Sequence, residues 1–151
     1  MSSPSNTAWL AGATGLVGAH VLDQLLASPE FARVVTFTRR PLARDDAKHV
    51  NRVVDFSSLP SDAGPADVAF CCLGTTMKQA GSQQAFRQVD HDHVLSFARA
   101  AHAAGARRFL VVSALGADKD SSVFYNRVKG EAEEALRRIG FAQLTILRPS
   151  L

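Results

Sequence analysis

The sequence predicts an α/β fold: a doubly wound parallel sheet of about six strands with helices on both faces. Three observations lead there. Short apolar or β-branched runs alternate with longer stretches whose apolar residues recur at helical spacing. A run of glycines stands where the first strand must turn into the first helix. One segment, residues 67–73, is almost wholly apolar rather than alternating, as a strand covered on both faces should be. The 151 residues suit one domain at the usual scale of roughly 150 residues. With 46% hydrophobic and 21% charged residues the chain has the material for a core.

Residues 7–11 form a short apolar run that stops at Gly12, after which Leu16, Val17, Val21, Leu25 and Leu26 keep helical spacing as far as Pro29. That is strand, tight turn and helix. Residues 34–38 and 50–54 are β-rich and read as the second and third strands, with a polar stretch containing Pro41 between them. Residues 67–73 give the fourth strand, ending at Gly74, and residues 75–81 a polar loop. Across residues 82–104, Phe86, Val89, Val94, Phe97, Ala98 and Ala101 mark one helix that closes on Gly105. Residues 108–113 predict strand five. Phe124, Val128, Ala132, Ala135, Leu136 and Ile139 then stripe a helix ended by Gly140, and residues 144–147 predict strand six. There is no internal repeat, and right-handed crossovers leave few other topologies for this order. Residues 1–6 are expected to be a disordered tail and 7–151 the folded domain.

Seventeen Lys and Arg against 14 Asp and Glu leave a net charge of +3. The basic residues are scattered and aromatics are only 7%, which argues against a nucleic-acid partner and for a phosphorylated small ligand. No apolar stretch approaches the roughly 18 residues of a membrane span, and the N-terminus lacks a secretory pattern, so the expected compartment is the cytoplasm. Cys71 and Cys72 are adjacent in an apolar run and make neither a disulfide framework nor a metal site. His91, Asp92 and His93 stand two apart on a helix, where side chains diverge, so they read as a solvated face and no metal is expected. Glu131, Glu133 and Glu134 with Arg137 and Arg138 read as another exposed face, and Trp9 as packing.

The segment Gly12-Ala13-Thr14-Gly15-Leu16-Val17-Gly18 joins strand to helix. Its first glycine permits the tight turn, its second the approach of a pyrophosphate, and its third close helix packing. The free N–H groups of a helix start favour an anion. No Lys-Ser or Lys-Thr follows Gly18, which excludes a P-loop. About 20 residues beyond Gly18, where an enzyme choosing NAD places an acid, the chain has Thr38, Arg39 and Arg40. Guanidinium groups suit a 2′-phosphate, so NADP(H) is expected in preference, with NAD(H) the alternative. Asp55 could accept from an adenine amino group or simply make a turn.

Tyr125 and Lys129 stand four apart on a helix and share one face. A nearby cation favours the phenolate of a tyrosine, whose pKa is ordinarily about 10. Together with Thr38-Arg39-Arg40, Val54-Asp55-Phe56, the run from Cys71 to Thr76, Val89-Asp90, the run from Ser113 to Asp118, Lys129-Gly130-Glu131 and Leu147-Arg148-Pro149, these residues resemble the short-chain dehydrogenase/reductase superfamily. Within it they are closest to the atypical branch of Tat-interacting-protein-like oxidoreductases. The resemblance implies an extended NADP, with Leu73, Gly74 and Thr75 at its centre and Tyr125 and Lys129 at the nicotinamide end. It adds Phe56 and Pro149 to the cofactor contacts. It implies Tyr125 as proton donor or acceptor, Lys129 as the group lowering its pKa, and Ser113 as the hydroxyl polarising the reacting oxygen, although the family often has two adjacent small polar residues at the end of this strand and here Ser113 is followed by Ala114, so that the hydroxyl is missing if the second position is the working one. The substrate is an unidentified carbonyl or alcohol; the rival reading is a sensor that binds NADP(H) and contacts another protein. The family continues beyond Pro149, so the chain is expected to lack most of a C-terminal substrate region.

Overall fold

A computed structural model describes residues 6–150 of the chain; residues 1–5, which the sequence assigns to a tail, and Leu151 lie outside the described residues. Asn6, expected in the tail, opens β1 (Asn6–Ala11). There follow α1 (Leu16–Ala27), β2 (Phe31–Thr38), β3 (His49–Val53), β4 (Val68–Cys71), α2 (Met77–Ala80), α3 (Gln83–Arg87), a π-helical turn (Gln88–His93), α4 (Val94–Ala103), β5 (Arg108–Val112), α5 (Phe124–Arg137) and β6 (Gln143–Leu147). The six strands form one sheet in the order β3-β2-β1-β4-β5-β6, and every pairing is parallel. This is the expected doubly wound sheet, with its direction of winding reversing between β1 and β4.

Strand alternation divides the core in two. Ala8, Leu10, Val34 and Val68 face α1, which buries Leu22, Leu25 and Leu26 against them. Trp9, Ala11, Val35, Phe37, Ala69, Cys71, Phe109 and Val111 face α4 and α5, which contribute Phe97, Ala98, Ala101, Ala132 and Leu136. The aromatic centre of that layer is Trp9 against Phe37 at 4.6 Å, with Phe97 5.5 Å from Phe37. Trp9 also donates from Nε1 to the Pro65 carbonyl, which satisfies its one polar atom and ties down the helix-free connection before β4.

The helix expected across residues 82–104 is one unbroken helical run from Gln83 to Ala103 with a π-helical turn inside it. Within the expected polar loop, Thr76 caps the short α2 by accepting from Gln79 N, and Ser82 caps α3 by accepting from Ala85 N. The π-helical turn then adds a residue to the helical phase, a distortion that often marks a functional site. Asp90, four residues after the fully buried Phe86 and so on its face of the helix, is 1% exposed. No helix of the described residues is long and apolar enough to cross a membrane.

Candidate cofactor crevice

In an all-parallel sheet every strand ends on the same edge, and the crevice of such sheets lies there, where the winding reverses. The Gly12–Gly18 connection follows β1 at that edge. Gly12 has φ +88°, and a Cβ on it would lie 2.4 Å from the Cys72 carbonyl carbon and oxygen. A Cβ on Gly18 would lie 1.8 Å from the Gly12 oxygen, so both glycines are demanded by the packing of the turn itself. Gly15 is different. Its backbone is extended at φ −80°, ψ 172°, and a Cβ on it would make only an ordinary 3.6 Å contact with the Gly12 oxygen. It caps α1 without a side chain, no acid occupies the first turn, and the leading N–H groups of a helix have no partners within it. Thr14, Gly15, Leu16 and Val17 are all exposed, Leu16 at 82%.

At the end of β2, Arg39 and Arg40 are exposed, and neither forms an ion pair among the described residues, whereas Arg44 pairs with Asp23 at 2.6 Å. Asp55, after β3, accepts from Ser57 N at 2.8 Å and so makes the turn that the sequence also allowed. Phe56, expected at the cofactor, is a core side chain, 4% exposed and stacked on His93 at 5.7 Å. His93 is therefore no part of a solvated face. Its Nε2 is buried without a partner, and burial pushes its imidazole below the ordinary value against the pull of Asp92 and Asp55. Among the described residues no cluster of His, Cys, Asp and Glu could hold a metal.

Beyond β4 the chain passes through Leu73, Gly74 and Thr75 beside a buried ion pair. Asp90 Oδ1 lies 2.6 Å from Lys129 Nζ, and Asp90 Oδ2 accepts from Thr75 N at 3.0 Å. The carboxylate thus ties the β4 loop, the π-helical turn and α5 together. Burial raises its pKa, and the Lys129 cation and the Thr75 amide pull it back. Tyr125, half-buried one turn before Lys129, packs on Phe86 at 5.1 Å, and Lys129 Nζ stands 5.8 Å from its ring centre. Lys129 is thereby brought beside the Gly74 loop, its Nζ 3.7 Å from where a Cβ on Gly74 would stand. Burial pushes the Cys71 and Cys72 thiols up to about 12 and about 11, so both remain protonated.

Ser113 stands in a different setting from the expected one. Its hydroxyl donates to Glu133 Oε2 at 2.6 Å. Arg148 closes on the same carboxylate, its Nε 3.1 Å from Oε2 and its Nη2 on Oε1. A hydroxyl that gives its only proton to a carboxylate does not offer it to a reacting oxygen. Glu133, read from sequence as part of an exposed face, is 2% exposed. Pro149 follows this cluster, and its carbonyl accepts from Leu115 N at 3.3 Å. Sequence reasoning gave no role to Asp90 or Glu133. The one local signal for either was an acid on or beside an apolar stripe.

Residues 12–151 match a family described as NAD(P)H-binding. The chain is 38% identical over 154 residues to "Protein HTATIP2" of Rattus norvegicus, covering 97% of this chain and 63% of that protein. It is 36% identical over 156 residues to "Protein fmp52-1, mitochondrial" of Aspergillus terreus, covering 94% of this chain and 65% of that protein. It therefore spans less than two thirds of the length of these relatives. Among solved structures, a short-chain dehydrogenase/reductase superfamily protein from Agrobacterium tumefaciens with bound NAD has a TM-score of 0.74 at 20% identity, covering 95% of this chain and 48% of that one.

Proposed function

The chain belongs to the NAD(P)H-binding family, and from that premise we propose that it is an NADP(H)-dependent oxidoreductase acting on a carbonyl or alcohol substrate. One observation carries the reading: α1 starts uncapped at Gly15, whose missing side chain the fold itself does not require. Space kept clear over a helix start suits a pyrophosphate.

Gly12, Thr14, Gly15, Leu16, Val17 and Gly18 would hold the pyrophosphate, Arg39 and Arg40 the 2′-phosphate, Asp55 and the Phe56 backbone the adenine. Leu73, Gly74 and Thr75 would line the centre, and Pro149 the far end. The bound cofactor supplies or accepts the hydride. Tyr125 gives the substrate oxygen its proton, or takes it in the reverse direction. Lys129, held 2.6 Å from Asp90 and 5.8 Å from the Tyr125 ring centre, would bind the ribose hydroxyls. Ser113 has no polarising part in this reading while Glu133 holds its proton, which leaves Tyr125 as the group that polarises the oxygen.

Fluorescence titration with NADPH and NADH, followed by a panel of carbonyl substrates, tests this. NADPH should bind more tightly, and Tyr125→Phe should abolish turnover without abolishing binding. Equal affinities would sink the preference for NADP, and a fully active Tyr125→Phe protein would sink the mechanism. The engagement of Ser113 by Glu133 favours a second reading, a sensor whose NADP(H)-bound form contacts a protein partner. Tight NADPH binding with no turnover across the panel is its signature.

A further inference from the structure

The segment that presents Arg39 and Arg40 is neither helix nor strand from residue 39 to residue 48, yet side chains from the two flanking strands hold it at three points. Thr38 Oγ1 donates to the Arg40 carbonyl at 2.7 Å. Asn51 Oδ1 accepts from Leu42 N at 2.9 Å. His49 Nδ1 lies 2.9 Å from the Arg44 carbonyl.

Behind these anchors the same side chains bond one another. Asn51 Nδ2 donates to Thr36 Oγ1 at 3.0 Å and to Thr38 Oγ1 at 2.9 Å, and Thr36 Oγ1 lies 2.8 Å from His49 Nε2. The direction of each bond to the loop follows from which atoms can only accept. The Arg44 carbonyl can only accept, so His49 Nδ1 carries the hydrogen. His49 Nε2 and the Thr36 hydroxyl share one hydrogen between them, and both threonine hydroxyls accept from Asn51. Thr36 is fully buried and Thr38 is 6% exposed, while His49 and Asn51 are half-buried on the edge strand β3, so a hydroxyl left unsatisfied on the threonine side of the network would be costly. Asn51 is the only member bonded to the loop and to both threonines.

We propose that Asn51 is a positioning residue for cofactor choice: it fixes the path of the chain at Arg40 and Leu42, and so sets how well Arg39 and Arg40 discriminate a phosphorylated from an unphosphorylated ribose. The proposal rests on the reading that these arginines grip a 2′-phosphate. Bidentate recognition of a phosphate needs a fixed guanidinium plane. A loop without secondary structure has such a plane only while its backbone is anchored, because each freed residue regains conformational entropy that binding must again remove.

The test is a comparison of NADPH and NADH affinities in the wild type and in Asn51→Leu, which keeps the side-chain bulk and removes all three kinds of bond. The NADPH Kd should rise about tenfold with the NADH Kd nearly unchanged, and the Leu42 amide should exchange its hydrogen faster. In an Arg39→Ala/Arg40→Ala background, Asn51→Leu should no longer alter the ratio. Thr38→Val, an isosteric change in β2, removes the anchor on Arg40 and one of the two hydroxyls that accept from Asn51, leaves Asn51 bonded to Leu42 N and Thr36, and should move the ratio the same way, so a poorly folded Asn51→Leu protein does not end the test. A wild type that prefers NADPH, with Asn51 and Thr38 variants that keep the same ratio or lose both cofactors in parallel, overturns the proposal and leaves the parent reading standing. Equal wild-type affinities overturn both.

Discussion

Asp90 and Lys129 are the residues whose environment most changes how the site is understood. Taken alone, Lys129 is a cation one turn from Tyr125. In the folded chain it is also half of an ion pair whose partners are 9% and 0% exposed at the side chain. Such a pair is weak evidence for stability, since both charges lose their water, but removing one partner leaves the other stranded. Asp90→Ala is expected to lower the unfolding free energy by about 3 to 5 kcal/mol, and Asp90→Ala/Lys129→Met to recover most of that loss. Urea denaturation of the two variants checks both statements. A single variant as stable as the wild type would show that Lys129 escapes to water. Glu133 follows the same logic one turn further along the same face of α5, where Ser113 and Arg148 satisfy a carboxylate that helical charge spacing alone places on the surface.

At the scale of elements, the connection from β1 to α1 separates what the fold needs from what a ligand needs. Gly18→Ala drives a methyl group into the Gly12 carbonyl and should cost about 1 to 3 kcal/mol of stability through overpacking. Gly15→Ala meets nothing closer than an ordinary contact, and as a cap change from glycine it should alter stability by less than about 1 kcal/mol. It should nevertheless weaken NADPH binding, because its methyl group stands over the uncapped start of α1. Thermal melts and titrations of the two variants check the contrast. The glycine positions, the strand runs and the stripe of α5 were legible in sequence because each is a local pattern. The helix over residues 83–103 was legible too, but the π-helical turn inside it was not, since it adds one residue and leaves the apolar content of the segment unchanged. What satisfies the inward-facing Asp90, the Thr75 amide and the Lys129 ammonium, is visible only once β4 and α5 are in place.

Across the whole molecule, the two halves of the sheet meet at β1 and β4, and an extended dinucleotide would touch both: Arg39 and Arg40 after β2, and Tyr125 and Lys129 after β5. A ligand that binds only the folded chain stabilises it by about 2.7 kcal/mol at a hundred times its Kd. For a domain of this size that corresponds to a rise in Tm of about 5 to 10 °C. Differential scanning fluorimetry with NADPH should show it, and an unmoved Tm at saturating NADPH would contradict cofactor binding.

The sequence by itself determined the fold class, the six strands, the glycine connection and the pairing of Tyr125 with Lys129, because hydrophobic periodicity and glycine placement are set within one element and its immediate neighbours. Only the tertiary structure decided which polar side chains face each other: Asp90 with Lys129, Ser113 with Glu133 and Arg148, His93 with Phe56, and Asn51 with the loop that bears the arginines. Those partners come from different strands and helices. A polar residue on an apolar stripe looks the same in sequence whether water, a carboxylate or a backbone amide satisfies it, and only the packing of one element against another supplies the partner.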